Sequence, residues 1–145
     1  MNNIIIKEIN AHAPEYREVW QLREDVLRKP LGLSLKDEDL SADFEDIILI
    51  ALGDNNVVGC VMLHPLHDGI IKLRQMAVAE LLQQKGVGRL LVQAAETTAK
   101  KQGYIKIELH AREIAIGFYE KLGYDITSEL FMEVNIPHKK MEKGL

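Results

Sequence analysis

The chain has 145 residues, 47% of them hydrophobic and 28% charged, with a net charge of −4. This is a composition for one ordinary globular domain, residues 1–145, not for a disordered segment. The acidic balance argues against a general nucleic-acid binder. No stretch approaches the roughly 18 apolar residues of a membrane helix, the first residues lack a signal-peptide pattern, and the single cysteine, Cys60, precludes an intrachain disulfide.

In chain order, residues 4–9 read as a strand. Tyr16, Val19, Trp20, Arg23, Val26 and Leu27 keep a helical spacing, which predicts a helix over 15–28 that Pro30 stops. Residues 31–44 read as loop or short helix, with acids at Asp37, Glu38, Asp39 and Asp43. The apolar run 47–52 suits a buried strand, and Gly53-Asp54-Asn55-Asn56 turns it back into a hairpin with 57–64. Cys60 sits inside that apolar pairing and reads as a small core residue. A further turn at His67-Asp68-Gly69 leads into a strand over 70–78.

That strand carries a phase slip. Ile71 and Leu73 share one parity, whereas Met76 and Val78 share the other. An inserted residue near Arg74 and Gln75, a β-bulge, would restore a single apolar face; burial on both faces would serve as well. Beyond the strand comes Gln83-Gln84-Lys85-Gly86-Val87-Gly88-Arg89. Val87, Leu90, Leu91, Ala94 and Ala95 then follow the spacing of a helix buried on one face, ending near Gln102 and Gly103. Residues 104–110 form the next strand, and Ala115, Phe118, Tyr119 and Leu122 a second amphipathic helix closed by Gly123. Residues 124–127 and 131–142 supply final strands, the latter broken at Pro137. The order β, α, several β, then β-α-β-α-β-β specifies one mixed α/β (α+β) sheet, mostly antiparallel, with about four helices on its faces.

A strand, a glycine-rich turn and a helix N-terminus together make an anion site: unpaired N–H groups, partial positive charge, and here the full charges of Lys85 and Arg89. A nucleotide P-loop needs a Gly-Lys pair, and none occurs. A dinucleotide fingerprint needs a third glycine where Leu91 stands, and too little chain follows for a doubly wound sheet.

Gln83-x-x-Gly86-x-Gly88 resembles the Q/R-x-x-G-x-G/A signature of the GNAT N-acetyltransferase superfamily. Residues 73–78 resemble its bulged fourth strand, and Ala115-x-x-x-Tyr119-x-Lys121-x-Gly123-Tyr124 its distal tyrosine helix. Ile136-Pro137-His138-x-x-Met141 is similar to the ending of a bacterial, ElaA-like subset. The resemblance implies a GNAT fold with a splayed sheet centre and acetyl-CoA as co-substrate; His12, His64, His67 and Asp68 lack a recognisable metal-site spacing, so no metal is expected. The resemblance also implies transfer of an acetyl group to the primary amine of a small molecule or peptide by direct attack in a ternary complex. A non-catalytic acetyl-CoA-binding module is the alternative.

By the same resemblance, backbone groups of Met76, Ala77 and Val78 pair with the pantetheine arm. Gln83, Gln84, Lys85, Gly86, Val87, Gly88 and Arg89 cradle the pyrophosphate, and Tyr119 protonates the leaving sulfur. Arg112 stands where many members carry Asn; it cannot accept a hydrogen bond, but it could meet a coenzyme phosphate or an acidic group of the substrate. Glu108, His110 and His138 are the candidate bases, since the amine must lose a proton before attack and histidine titrates in a suitable range; a water chain to solvent could serve instead. Gln75 would face substrate if the bulge exposes it, and the acids of 31–44 could attract a cationic amine. The expectation is a soluble cytoplasmic enzyme without nucleic-acid or membrane partners, in which the late strands could pair across a homodimer.

Overall fold

The structure is a computed structural model describing residues 3–145. Apolar runs bounded by turns form the strands β1 (Ile4–Ile9), β2 (Ile47–Gly53), β3 (Asn56–Pro65), β4 (Ile70–Val78), β5 (Lys106–Arg112), β6 (Asp125–Ile126), β7 (Phe131–Glu133) and β8 (Ile136–Gly144). Three α-helices accompany them: α1 (Tyr16–Arg23), α2 (Val87–Lys101) and α3 (Ile116–Lys121). The strands make one sheet in the order β1-β2-β3-β4-β5-β8-β6, with β7 beside β6 on the outer edge of β8. Every pairing is antiparallel except that of β4 with β5.

Both faces of the sheet are covered, so β2 and β3 are apolar on both sides. Leu49, Val61, Leu63, Ile71, Leu73, Ile107 and Leu109 pack against Val87, Leu91, Val92 and Ala95 of α2. Ile48, Ile50, Cys60, Met62 and Ala77 pack on the opposite face against Val19 and Leu22 of α1. The phase slip in β4 is a bulge. Gly59 and Cys60 oppose Val78 and Ala77, Met62 opposes Arg74, and so Gln75 and Met76 together face the single residue Val61. Gln75 takes φ +56 there. Ile71 and Leu73 thereby share a core face with Met76 and Val78.

The bulge helps to split the sheet. β4 pairs with β5 only from Ile70↔Lys106 to Leu73↔Leu109, although β4 runs on to Val78 and β5 to Arg112. Past Leu73 the two parallel strands diverge and leave a gap between them.

Four details differ from the sequence reading. The helix over 15–28 is α-helical only to Arg23 and π-helical over Glu24–Arg28. Residues 31–44 form short 3-10 turns, in keeping with the loop or short helix read there, because Gly32 in the left-handed region and the extended Ser34 and Glu38 interrupt any longer helix; among the described residues the α-helices number three, against about four expected. β5 lies two residues later than 104–110, which brings Arg112 into the strand. The last strand breaks not at Pro137 but at a tight turn of Val134 and Asn135, both at positive φ. Pro137 is tolerated within β8 because β5 ends opposite His138, so no ladder bond to β5 is lost there. Among the described residues no helix is long and apolar enough to cross a membrane.

Candidate active site

The divergence of β4 and β5 opens a cleft of about 500 Å³ lined by both strands, by Tyr119 of α3, by Arg28 and by the β7–β8 hairpin. It passes between the strands. Leu109, Ala111 and Tyr119 belong to the core on the α2 side, while His110 and Arg112 alternate to the other face.

One wall is largely backbone. Ala79 donates its N–H to Val58 of β3, so by strand alternation Val78 turns its own N–H and C=O toward the gap. Gln83 reaches back to donate to the Val78 carbonyl at 3.0 Å, which ties the loop to the strand end and leaves the Val78 N–H as the donor at the opening. Gly86 then adopts φ +89 as the N-cap of α2, a conformation that suits glycine. No side chain caps the helix and its first turn carries no acid. Lys85 and Arg89 are exposed beside it. A Cβ on Gly88 would only touch the Phe118 ring at 3.4 Å, so at that position a small residue suffices. The Gly loop is not part of the cleft lining; it lies beyond Val78, at the end of β4.

Tyr119 is placed by a short connection, since a single 3-10 turn, Glu113–Ala115, separates β5 from α3. Its ring is held edge-on between Phe118 and Tyr124, with centroids at 4.9 and 5.7 Å. Burial pushes its phenol pKa well up, so Tyr119 remains protonated over the working range of proteins. Cys60 lies behind the bulge, donating to the Gln75 carbonyl at 3.5 Å. Burial raises its thiol pKa to about 12, which removes it as a nucleophile.

The other wall is a network of charged side chains from distant segments, and much of it is invisible to a local reading of the sequence. Arg23, 1% exposed, pairs at 2.8 Å with Asp43, also 1% exposed. Asp43 also accepts from Tyr16 and Arg74, and Arg74 spans to Asp46, which holds His64. Burial raises the Asp43 pKa, but hydrogen bonds from Tyr16 and Arg23 outweigh it and the net shift is downward. Asp46 is shifted upward, its burial outweighing His64 and Arg74. Arg23 Nε and Arg28 Nη2 both donate to Gln75 Oε1, at 3.2 and 3.3 Å, and so clamp the bulge from its side chain. Arg28 is itself gripped in bidentate fashion by Glu38, at 2.6 and 3.1 Å. Of the four acids expected to attract a cationic amine, Asp43 and Glu38 are thus already neutralised by arginines.

The candidate bases separate. Glu108 does not line the cleft; it sits where β4 and β5 still pair and is bridged by Lys140 at 3.1 Å. His110 and His138 do line it, joined by Glu133, a residue the sequence analysis did not single out. His110 Nδ1 lies 2.9 Å from Glu133 Oε1, so that nitrogen carries the proton. His138 is 4% exposed; its Nδ1 lies 2.7 Å from the Ile136 carbonyl, to which it can only donate, and its Nε2 lies 3.6 Å from Glu133 Oε2. Phe131 packs on both imidazoles. Among the described residues no group of three or more His, Cys, Asp or Glu side chains is placed to hold a metal ion.

The comparisons with known proteins agree with this geometry. The family described as Acetyltransferase (GNAT) family matches residues 9–124. A Bacillus subtilis protein provisionally named an acetyltransferase is 32% identical over 144 residues, 95% of each chain. The crystal structure of Escherichia coli ElaA superposes with a TM-score of 0.86 over 97% of this chain and 99% of its own, at 18% identity, which speaks to the fold alone. A GNAT family acetyltransferase from Elizabethkingia anophelis with acetyl-CoA bound superposes at 0.73, at 21% identity over the whole of both chains.

Proposed function

The chain belongs to the GNAT acetyltransferase family, and we propose that it moves an acetyl group from acetyl-CoA to a primary amine by direct attack in a ternary complex. The observation that carries this reading is the gap between β4 and β5, with Tyr119 in its lining and the Val78 N–H turned toward it from the end of β4. A pantetheine arm laid in that gap takes the place of the missing strand and pairs with Met76–Val78 backbone groups, as an added strand does. The N-terminus of α2, with Lys85 and Arg89, suits the pyrophosphate.

The residues then divide the work. His138 Nε2, or His110 through its own Nε2, accepts the proton that the amine must shed, directly or through water, and Glu133 steadies both rings. The amine nitrogen bonds to the thioester carbon, and the Val78 N–H stabilises the negative charge that moves onto the carbonyl oxygen. As the carbon–sulfur bond breaks, Tyr119 passes its proton to the sulfur, the nitrogen gives up its second proton to the same base or to water as the amide forms, and the phenol is reprotonated from solvent. The products are the N-acetylated amine and free coenzyme thiol, with no acyl-enzyme.

Initial-rate kinetics of thiol release over a panel of amines test the reading. Lines that intersect when both substrates are varied are expected for a ternary complex; parallel lines would overturn direct attack. Tight acetyl-CoA binding with no thiol release on any amine would overturn catalysis in favour of a binding module.

A further inference from the structure

The lining of the cleft is cationic on balance. Arg28, Lys72, Arg74 and Arg112 line it against one carboxylate, Glu133. Arg74 is neutralised by Asp43 and Asp46, and Arg28 by Glu38. Lys72 carries its charge on a flexible stem. Arg112 is different. It is half-buried on β5, opposite His138, and among the described residues it has no ion-pair partner. Burial lowers its pKa, and the nearby charge of Arg28 lowers it further, with no carboxylate to offset either.

A partly desolvated guanidinium beside another cation is unfavourable unless an anion joins it. Its planar fork of donors matches a carboxylate or phosphate. Gln75 adds to the same wall. Its Oε1 is occupied by Arg23 and Arg28, so its amide nitrogen is the end left to donate. Arg112 also borders a second hollow of about 270 Å³, lined by the apolar Leu31, Ile114, Ile136 and Pro137 together with the exposed Glu113. The charge therefore stands between the cleft and a mostly apolar recess.

We infer that the acceptor is an amine that also carries a compact anionic group, held by Arg112 with Gln75 and Arg28 beside it, and an apolar portion that enters the neighbouring recess. The inference rests on the acetyl-transfer reading above and names its substrate class. It also gives a reason for arginine where a neutral amide would serve the coenzyme arm.

The test uses matched amines that differ only in the anion: leucine and isoamylamine, β-alanine and ethylamine, phosphoethanolamine and ethanolamine. The wild-type chain is expected to favour the anionic member of at least one pair by about tenfold to a hundredfold in kcat/KM, the scale of a charge-assisted hydrogen bond. The leucine and phosphoethanolamine arms tell a carboxylate from a phosphate. In Arg112→Gln that ratio falls toward one, through acceptor KM, and Arg112→Lys restores part of it. Equal rates within every pair would overturn the inference, as would an Arg112→Gln defect that appears in acetyl-CoA Kd while the ratio persists. If no amine is acetylated, the acetyl-transfer reading fails by itself. Calorimetric titration of the same pairs into the acetyl-CoA-saturated protein then decides the anion site: binding of an anionic member that is lost in Arg112→Gln supports it, and no difference within the pairs refutes it.

Discussion

The two walls of the cleft are built on opposite principles. The wall of β4 presents main-chain groups, the Val78 N–H at its end and, beyond the cleft, a glycine at φ +89 and an uncapped helix N-terminus. The facing wall works through side chains gathered from α1, the 3-10 turns, β5 and the β7–β8 hairpin, and locked by ion pairs. A backbone wall suits a ligand that never changes, since any sequence presents the same N–H groups. A side-chain wall can be rewritten one residue at a time, which suits the partner that varies among enzymes sharing a co-substrate. The bulge belongs to both: its backbone faces the first wall, and the Gln75 side chain is clamped by the arginines of the second.

That contrast can be broken by substitution. The largest effect is expected at Asp43, where alanine leaves Arg23, Arg74 and Tyr16 without their common acceptor. Removing one partner of such a buried pair costs about 3–5 kcal/mol. Chemical denaturation measures it, and a loss below about 1 kcal/mol would mean that the network does not hold the wall. Next, Tyr119→Phe is expected to lower kcat about 100-fold while acetyl-CoA Kd moves less than about twofold, the mark of an interaction made only in the transition state. Unaltered turnover would remove the phenol from the chemistry.

Smaller effects sharpen the backbone wall. Gly86→Ala forces a Cβ into φ +89 and should cost about 1–2 kcal/mol in stability or in acetyl-CoA affinity. Gly88→Ala, with its nearest contact at 3.4 Å, should stay within about 0.5 kcal/mol. Equal effects at the two glycines would show that backbone conformation is not what the loop contributes. The pH profile follows from the upward shift at Tyr119, with the sign that a raised pKa keeps the acid protonated to higher pH. kcat/KM should climb as the amine deprotonates and show no falling limb from Tyr119 below about pH 10. The slightest change is expected at Cys60, where burial and a thiol pKa of about 12 should leave the native protein unreactive toward alkylating reagents until it unfolds.

The same contrast explains what could be read from the sequence. The bulge was legible because β-strand parity is a local rule, and Ile71, Leu73, Met76 and Val78 break it within eight residues. The helix entry was legible because Gly86 and Gly88 stand in order beside it. The charged wall was not, because its partners lie far apart: Arg23 meets Gln75 across 52 positions, and Arg74 meets Asp43 across 31. One trace existed, an arginine placed on the buried stripe of α1 between Val19 and Val26. Glu133 was hidden by a turn that Asn135 suits but Val134 does not. Val134 takes φ +47, a conformation that β-branched residues avoid, so the β7–β8 hairpin read as one strand broken at Pro137. Glu108 was placed on the correct face beside His110, but parity alone cannot say where along a strand the sheet opens, and Glu108 falls on the paired side of that point.

In the proposed reaction the gap between β4 and β5 holds the thioester between the Val78 N–H and Tyr119. A crystal structure with acetyl-CoA bound puts this to the test. The pyrophosphate is expected on the N–H groups at the start of α2, the thioester oxygen within hydrogen-bond distance of Val78, and the sulfur within reach of the Tyr119 hydroxyl. A pantetheine arm that bypasses the gap, or a sulfur remote from Tyr119, would contradict it.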